Sequence, residues 1–181
     1  MSHPMPQNRH SIRIPDYDYS QGGAYFVTLV TYHRLNYFGE SINGKIELNT
    51  SGRIAFDQWV QLGNRFKHSD FSIFVVMPNH IHGIILLGVD MQMESEIPHL
   101  QKPASHDRIK TNVKAGSLGA IVRAYKASVT FRVNAMRGYK KPFIWQRNYY
   151  EQIIGSEKEF ENIWKYIQYN PDQWEQDSLH L

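Results

Sequence analysis

The sequence predicts an α+β fold in which helices pack on one face of an antiparallel β-sheet. Segments rich in β-branched and aromatic residues alternate with segments of helical periodicity, in the order strand, helix, hairpin, helix, helix. Turn signals at Asn43-Gly44 and Pro78-Asn79 join neighbouring strands through short connections, which favours antiparallel pairing. The glycine-rich phosphate loop typical of a doubly wound parallel sheet is absent.

The strand predictions rest on short runs of residues that favour extended backbone. Alternating or continuous apolar runs predict strands at 24–31, 71–77, 80–87 and 143–145. The segment 149–154 is either a short strand or a turn-rich connector. Both faces of the 80–87 segment are apolar beyond its two histidines, so we expect this strand to be central in the sheet. Asn43-Gly44 predicts a separate short hairpin.

Three helices are predicted from apolar residues at helical spacing, at 51–65, 117–136 and 156–170. Ser156 and Glu159 form a capping box that begins the third helix, and Asn170-Pro171 ends it. Trp145 and Trp164 are assigned to the core.

One domain is expected to span residues 1–181, because this length suffices to bury a core without a disulfide or structural metal. Residues 1–8 are polar and aperiodic and predict a loose arm. The stretch 89–116 is also polar and aperiodic, and it predicts a long loop or insertion.

The composition limits the chemistry that the chain can carry. The absence of cysteine excludes disulfides and thiolate metal ligands, so a metal would be held by histidine, amide or carboxylate groups. The chain shows neither an apolar run of membrane-spanning length nor a signal-like start, and we expect a cytoplasmic protein.

Residues 123–147 contain no acidic residue and several basic ones, and this stretch is here called the basic belt. Its members are Arg123, Lys126, Arg132, Arg137, Lys140, Lys141 and Arg147. Although the net charge is only +3, this concentration of positive charge would attract a polyanion. An alternative interpretation is a solvated helix face with its counter-charges elsewhere in the fold.

The triplet His80-Ile81-His82 suggests a metal site. Because side chains alternate along a strand, the two imidazoles face one side and Ile81 faces the other. Without cysteine a closed structural zinc site is disfavoured, and Mg²⁺ or Mn²⁺ with added oxygen ligands fits a catalytic site with an open position. The alternative is two polar residues at a strand end, bonded to backbone.

Tyr166 and Asn170 lie four residues apart on the third helix and so share one face beside its apolar stripe. A phenol beside a metal ion can attack a phosphodiester, and an amide oxygen can bind that metal. Packing is the commoner role of such a tyrosine, and spacing alone does not choose between Tyr166 and its competitors Tyr149, Tyr150 and Tyr169.

Several segments together resemble a known family. The run 76–83, Val-Met-Pro-Asn-His-Ile-His-Gly, resembles the HUH motif of single-tyrosine transposases of the bacterial insertion-sequence type. More closely, the chain resembles the REP-associated tyrosine transposases in the segments 19–31, 121–126, 145–151 and 166–171. The resemblance spans nearly the whole chain except the arm and the 89–116 stretch.

The resemblance implies a ferredoxin-like core with His80 and His82 as metal ligands on a central strand. It assigns Tyr166, on a C-terminal helix, as the nucleophile, and Asn170 as the third ligand, where many relatives carry glutamine. Relatives cut single-stranded DNA hairpins beside a short guide sequence, and they form a 5′-phosphotyrosine and a free 3′-OH. The cofactor would be Mg²⁺ or Mn²⁺.

The resemblance implies that the basic belt binds DNA. Arg123, Lys126 and Arg147 are expected to contact DNA phosphates, and Tyr149 or Tyr150 to stack on unpaired bases, although packing remains the alternative for each. A hairpin-binding protein without transposition activity is the rival function, and another metal phosphohydrolase would need more acidic ligands. The sequence leaves monomer and homodimer open.

Overall fold

The computed structural model describes residues 22–88, 116–138 and 143–180. The strands are β1 (Gly23–Val30), β2 (Gly39–Ile42), β3 (Lys45–Leu48), β4 (Ser69–Asp70), β5 (Phe74–Val76), β6 (His80–Leu87) and β7 (Tyr150–Ile154). The helices are α1 (Thr50–Val60), α2 (Leu62–Arg65), α3 (Leu118–Arg137) and α4 (Glu157–Tyr169), and a 3-10 helix follows at Pro171–Gln176. The predicted arm at 1–8 and nearly all of the predicted 89–116 loop lie outside the described residues.

The main sheet is antiparallel throughout, and its central strands are β1 and β6. Strand β6 pairs with β1 on one side and with β4 and β5 on the other, while β7 pairs with the free side of β1. The order β1, α1, β4–β5, β6, α3, β7 gives the ferredoxin-like β-α-β-β-α-β arrangement. The predicted α+β class and the central position of 80–87 are therefore confirmed.

The predicted packing of all helices on one sheet face is wrong for the third predicted helix. Tyr25, Val27 and Leu29 of β1 point into the large core with α1 and α3. Phe26 points to the other face, where it packs with Ile84 and with α4. Both faces of β1 are apolar, so α1 and α3 bury one face and leave the other to be covered by α4, which follows the ferredoxin-like unit.

Other departures from the predicted elements are local. The first predicted helix begins at Thr50, capped by the Asn49 side chain, and breaks at Gln61 into α1 and α2. The 71–77 segment is a strand only at Phe74–Val76, and 143–145 is reduced to a single bridge between Trp145 and Thr31.

The two tryptophans assigned to the core differ in burial. Trp145 is buried in the large core, as predicted. Trp164 is 40% exposed, so its assignment is wrong. The sheet buries only the Ile163 and Ile167 side of α4, and Trp164 lies at the edge of that stripe.

Two predicted turn and cap features are present. Asn43 and Gly44 have φ angles of 52° and 75°, the left-handed pair that a tight two-residue hairpin turn requires. Ser156 accepts a hydrogen bond from the Glu159 amide at 3.2 Å, and the Glu159 carboxylate accepts one from the Gly155 amide at 2.8 Å. The reciprocal capping bond therefore goes to the residue before the N-cap.

Within the described residues, no helix combines the length and the apolar character needed to cross a membrane.

The Gly83→Ala substitution is expected to destabilise the fold, because a methyl group at this position would overlap the ring of Trp59. Trp59 is fixed by stacking on Phe74 and by a 2.9 Å hydrogen bond from its indole to the Phe71 carbonyl. We expect a loss of about 2 kcal/mol or more in the free energy of unfolding, measured by urea denaturation.

The matched control is Gly63→Ala in α2, where an added methyl group meets open space among the described atoms. This change should be neutral or slightly stabilising, because alanine favours helix more than glycine does. Equal stability of the Gly83 and Gly63 variants would contradict the close approach of Trp59 to β6.

Candidate active site

His80 and His82 lie side by side on the sheet face that α4 covers. Their ring centroids are 4.4 Å apart, and both side chains are buried, at 0% and 3% exposure. Phe26 of β1 stacks on His82 with its centroid at 5.3 Å. The predicted convergence of the two imidazoles is therefore present.

His80 has one ring nitrogen bonded and the other directed at an acidic group. Its Nδ1 is 2.8 Å from Asn79 Oδ1, and its Nε2 is 3.8 Å from Asp177 Oδ2. Burial lowers the pKa of His80 to about 4, against the opposing pull of the Asp177 carboxylate. The imidazole is therefore neutral at physiological pH, the form that binds a metal ion.

His82 connects β1 to α4. Its Nδ1 is 2.8 Å from Thr28 Oγ1 on the paired strand, and its Nε2 is 3.1 Å from the Tyr166 hydroxyl. Burial, and then the neighbouring His80, lower the pKa of His82 well below its usual range. Like His80, it is neutral at physiological pH, and both of its ring nitrogens face hydroxyl groups that can donate or accept.

Tyr166 combines contact with the histidines and access to solvent. Its ring meets Phe26 edge-on at 6.1 Å and His82 at 5.0 Å, and 43% of the residue is exposed. Burial, and then the negative Asp177, raise the pKa of Tyr166 to about 12. The phenol is therefore protonated at neutral pH and needs activation before it can act as a nucleophile.

The competing tyrosines occupy different surroundings. Tyr169 lies on α4 but is 58% exposed. Tyr150 of β7 meets Phe26 edge-on at 6.3 Å and so borders the site. Tyr149 packs against the large core, on the side of α1 and α3. The structure thus brings Tyr166 to the histidine pair and leaves Tyr150 at its border.

Asn170 and Asp177 close the site from the C-terminal side. Asn170, the residue after α4, donates from Nδ2 to Asp177 Oδ2 at 2.8 Å. The segment that follows turns back over the site, where Trp174 is buried with its ring 5.9 Å from that of His80. Asp177 Oδ1 accepts a hydrogen bond from the Leu179 amide.

The ligand-type atoms of His80, His82 and Asp177 lie within 4.8 Å of one another, so this buried group can bind a metal ion. His80 Nε2 and Asn170 Oδ1 are buried and have no hydrogen-bond partner among the described residues. Buried polar atoms are rarely left unsatisfied, so two such atoms beside a carboxylate fit a cation. Two imidazoles with carboxylate and amide oxygens suit a divalent ion.

Sequence reasoning missed Asp177 and interpreted Asn79 only as a turn residue. Asp177 lies beyond the proline that ends α4, and no spacing rule connects it to a strand nearly one hundred residues earlier. The position of Asn79 directly before the histidine triplet could have indicated that it belongs to the site. Its complete burial, which marks it as part of the site, is visible only in the fold.

The residues predicted to contact DNA lie in several places. Arg123 is exposed on α3, across the sheet from the histidines, and Arg147 is exposed in the loop before β7. The Lys126 ammonium donates to the carbonyls of Gln146 and Asn148, and burial lowers its pKa to about 8. Lys126 therefore anchors the loop that carries Arg147, and its predicted phosphate contact stays a prediction.

Acidification from pH 6.5 to 4 is expected to destabilise the metal-free protein. Unfolded histidine takes up its proton near pH 6.5, whereas folded His80 does so only near pH 4. Between these values the unfolded chain binds more protons, so the free energy of unfolding falls as the pH falls, by about 3 kcal/mol at most for this group. Urea unfolding at stepped pH measures the effect. A His80→Gln variant should lose much of the slope, and an unchanged slope would contradict a buried neutral His80.

Comparisons with known proteins agree with the fold and the motifs. A Haemophilus influenzae protein described as uncharacterized is 37% identical over 175 residues, 96% of this chain and 94% of that protein. A second protein of that organism, named "Putative REP-associated tyrosine transposase", is 26% identical over 157 residues, 85% of this chain and 73% of its own length. No protein-family model matches the chain.

A solved structure of a REP-associated tyrosine transposase bound to a REP hairpin shares the fold. Its TM-score is 0.56 at 18% identity, and the match covers 96% of this chain and 74% of that one. The chain thus belongs to one family with the first Haemophilus influenzae protein, and its predicted resemblance to the REP-associated tyrosine transposases is confirmed.

Proposed function

We propose that the protein is a metal-dependent single-stranded DNA endonuclease and strand transferase that acts on hairpin-forming repeats through a 5′-phosphotyrosine. The likeness to REP-associated tyrosine transposases supports a transposase-type, DNA-processing function. The observation that carries the finer proposal is the 3.1 Å approach of the Tyr166 hydroxyl to His82 Nε2, inside a buried group of metal-binding side chains. Phosphoryl transfer needs a nucleophile next to side chains that can hold a metal ion as the electrophile.

In the proposed reaction the Tyr166 oxygen attacks the phosphorus of a phosphodiester. A bond forms between that oxygen and phosphorus, and the bond from phosphorus to the 3′-oxygen breaks. The phenol releases its proton to solvent, which reaches Tyr166, and the leaving 3′-oxygen takes up a proton from solvent. Because one phosphodiester replaces another, a free 3′-OH can reverse the step and rejoin DNA without ATP.

Metal binding is assigned to His80, His82, Asp177 and the amide oxygen of Asn170. When bound, the ion would supply Lewis-acid stabilisation of the charge that develops on the phosphate. The protein's own residues hold the nucleophile. Phe26 contacts both Tyr166 and His82 and fixes the phenol at the mouth of the site, while Trp174 covers His80 and excludes water from that side.

The DNA contacts remain part of this proposal. Tyr150 borders Phe26 and is 39% exposed, so it is positioned to stack on an unpaired base beside the cleaved phosphate. Arg123 and Arg147 are exposed and carry full positive charge for phosphate contacts. Lys126 and Tyr149 are more deeply packed, and their contribution would be to hold the loop before β7.

The test is a covalent trapping assay on hairpin oligonucleotides with single-stranded flanks. The purified protein with Mn²⁺ or Mg²⁺ should form a species of higher mass that survives denaturing electrophoresis, and a chelator should prevent it. Recovery and sequencing of the attached DNA would report the cut position and its polarity. Tight hairpin binding without any covalent product, under either metal, would instead support a hairpin-binding protein without transposition activity.

A further inference from the structure

Asn79 is a fully buried polar residue directly before the histidine pair, at 0% exposure. It lies between β5 and β6, and its backbone carbonyl accepts a hydrogen bond from the Thr31 amide. Its side chain makes three contacts: Oδ1 lies 2.8 Å from His80 Nδ1, and Nδ2 donates to the carbonyls of Arg34 at 3.1 Å and Leu179 at 2.8 Å. All of its side-chain polar atoms are thus used.

These contacts fix which way the Asn79 amide points. Carbonyl oxygens only accept hydrogen bonds, so the atom facing Arg34 and Leu179 must be the NH₂ group. A flipped amide would set its oxygen against two other oxygens and would lose both bonds. The atom facing His80 is therefore the oxygen Oδ1, which also only accepts.

The orientation of Asn79 in turn fixes the tautomer of His80. An acceptor 2.8 Å from Nδ1 requires that Nδ1 carries the hydrogen, which leaves Nε2 with its lone pair. Nε2 is the nitrogen that points to Asp177 and has no hydrogen-bond partner among the described residues. We propose that Asn79 is a positioning residue that locks His80 in the Nδ1–H tautomer and so prepares Nε2 to bind a metal ion.

The same amide connects His80 to the chain segment that carries Asp177. Leu179 lies two residues beyond Asp177 and donates its own amide hydrogen to Asp177 Oδ1, while its carbonyl accepts from Asn79. Arg34, the other acceptor, has a φ of 55° and donates from its guanidinium to the Ser178 carbonyl. Asn79 thus joins His80, which offers a nitrogen ligand, and the segment that carries Asp177, which offers an oxygen ligand, in one hydrogen-bonded unit.

The first test needs neither metal nor DNA. In metal-free protein at pH 7, ¹⁵N NMR of the imidazoles should show His80 with a protonated Nδ1 and a bare Nε2. Asn79→Ala removes the acceptor and should populate the Nε2–H tautomer, whereas Asn79→Asp keeps an acceptor at the same position and should retain the Nδ1–H form. A wild-type His80 protonated on Nε2 would overturn the proposal, as would an unchanged tautomer in the alanine variant.

The second test measures metal affinity, and it rests on the metal site of the proposed function. Titration calorimetry with Mn²⁺ should show weaker binding by about 10–100-fold in Asn79→Ala, as is common when the group orienting a ligand histidine is lost. The control is Asn64→Ala, exposed on α2, which should bind as the wild type does.

The outcomes separate this inference from the proposed function. Wild-type affinity in Asn79→Ala would overturn the positioning role. Thermal unfolding of each variant identifies any that fail to fold, and the wild-type tautomer still decides the proposal in that case. Absence of a covalent DNA product with the expected tautomer and metal affinity would count against the proposed function alone.

Discussion

Tyr166→Phe is expected to abolish the covalent protein–DNA product, by at least about 10³-fold in rate, because it removes the attacking oxygen itself. The ring would remain and keep its edge contacts with Phe26 and His82, so the fold and the hairpin affinity should change little. Tyr166 is 43% exposed, and loss of its hydroxyl leaves no large cavity. Rates of adduct formation under single-turnover conditions, with hairpin affinity measured in parallel, check both parts.

The matched control is Tyr169→Phe, one turn along the same helix and more exposed. It should form the adduct at close to the wild-type rate. A Tyr166→Phe variant that still forms the adduct efficiently would contradict the assignment of the nucleophile. A strong defect in Tyr169→Phe with little in Tyr166→Phe would reassign it to Tyr169.

His80→Ala is expected to remove metal binding and cleavage together while hairpin binding persists. Loss of one imidazole from the buried group leaves fewer ligands to hold the ion, and loss of about 4 kcal/mol of transition-state stabilisation corresponds to a rate decrease of about 10³-fold. Phosphate contacts, rather than the metal, should dominate DNA affinity. Calorimetry with Mn²⁺, cleavage rates and hairpin affinity measure the three quantities.

The control for this substitution is His68→Ala, at an exposed position before β4. That variant should match the wild type in all three measurements. Cleavage by His80→Ala at more than about one tenth of the wild-type rate would contradict a metal centre built on the histidine pair, since a tenfold change is only about 1.4 kcal/mol.

Local patterns predicted the parts of the site that lie on single elements. The strand bounds 80–87 and the shared face of His80 and His82 follow from strand alternation, and both are observed. The helical spacing of Tyr166 and Asn170 is equally local. Such features depend on backbone geometry alone, which a short stretch of sequence determines.

The same local patterns do not predict how segments far apart in the sequence pack against one another. The apolar stripe of α4 shows that one side of the helix is buried, but it does not say which face of the sheet does so. Asp177 reaches His80 because the chain turns back after Pro171, and Asn79 gains its role from carbonyls of Arg34 and Leu179. These contacts join segments far apart in sequence, so only the folded arrangement reveals them.

Peptide mass spectrometry of the trapped product tests the central claim most directly. Trypsin cuts after Lys165, and the remaining chain contains no further lysine or arginine, so one peptide carries both Tyr166 and Tyr169. After reaction with hairpin DNA and Mn²⁺ followed by nuclease digestion, fragmentation of this peptide should locate a nucleotide phosphate on Tyr166. A phosphate on any other residue, or an unmodified peptide from protein that has cut DNA, would contradict the proposed mechanism.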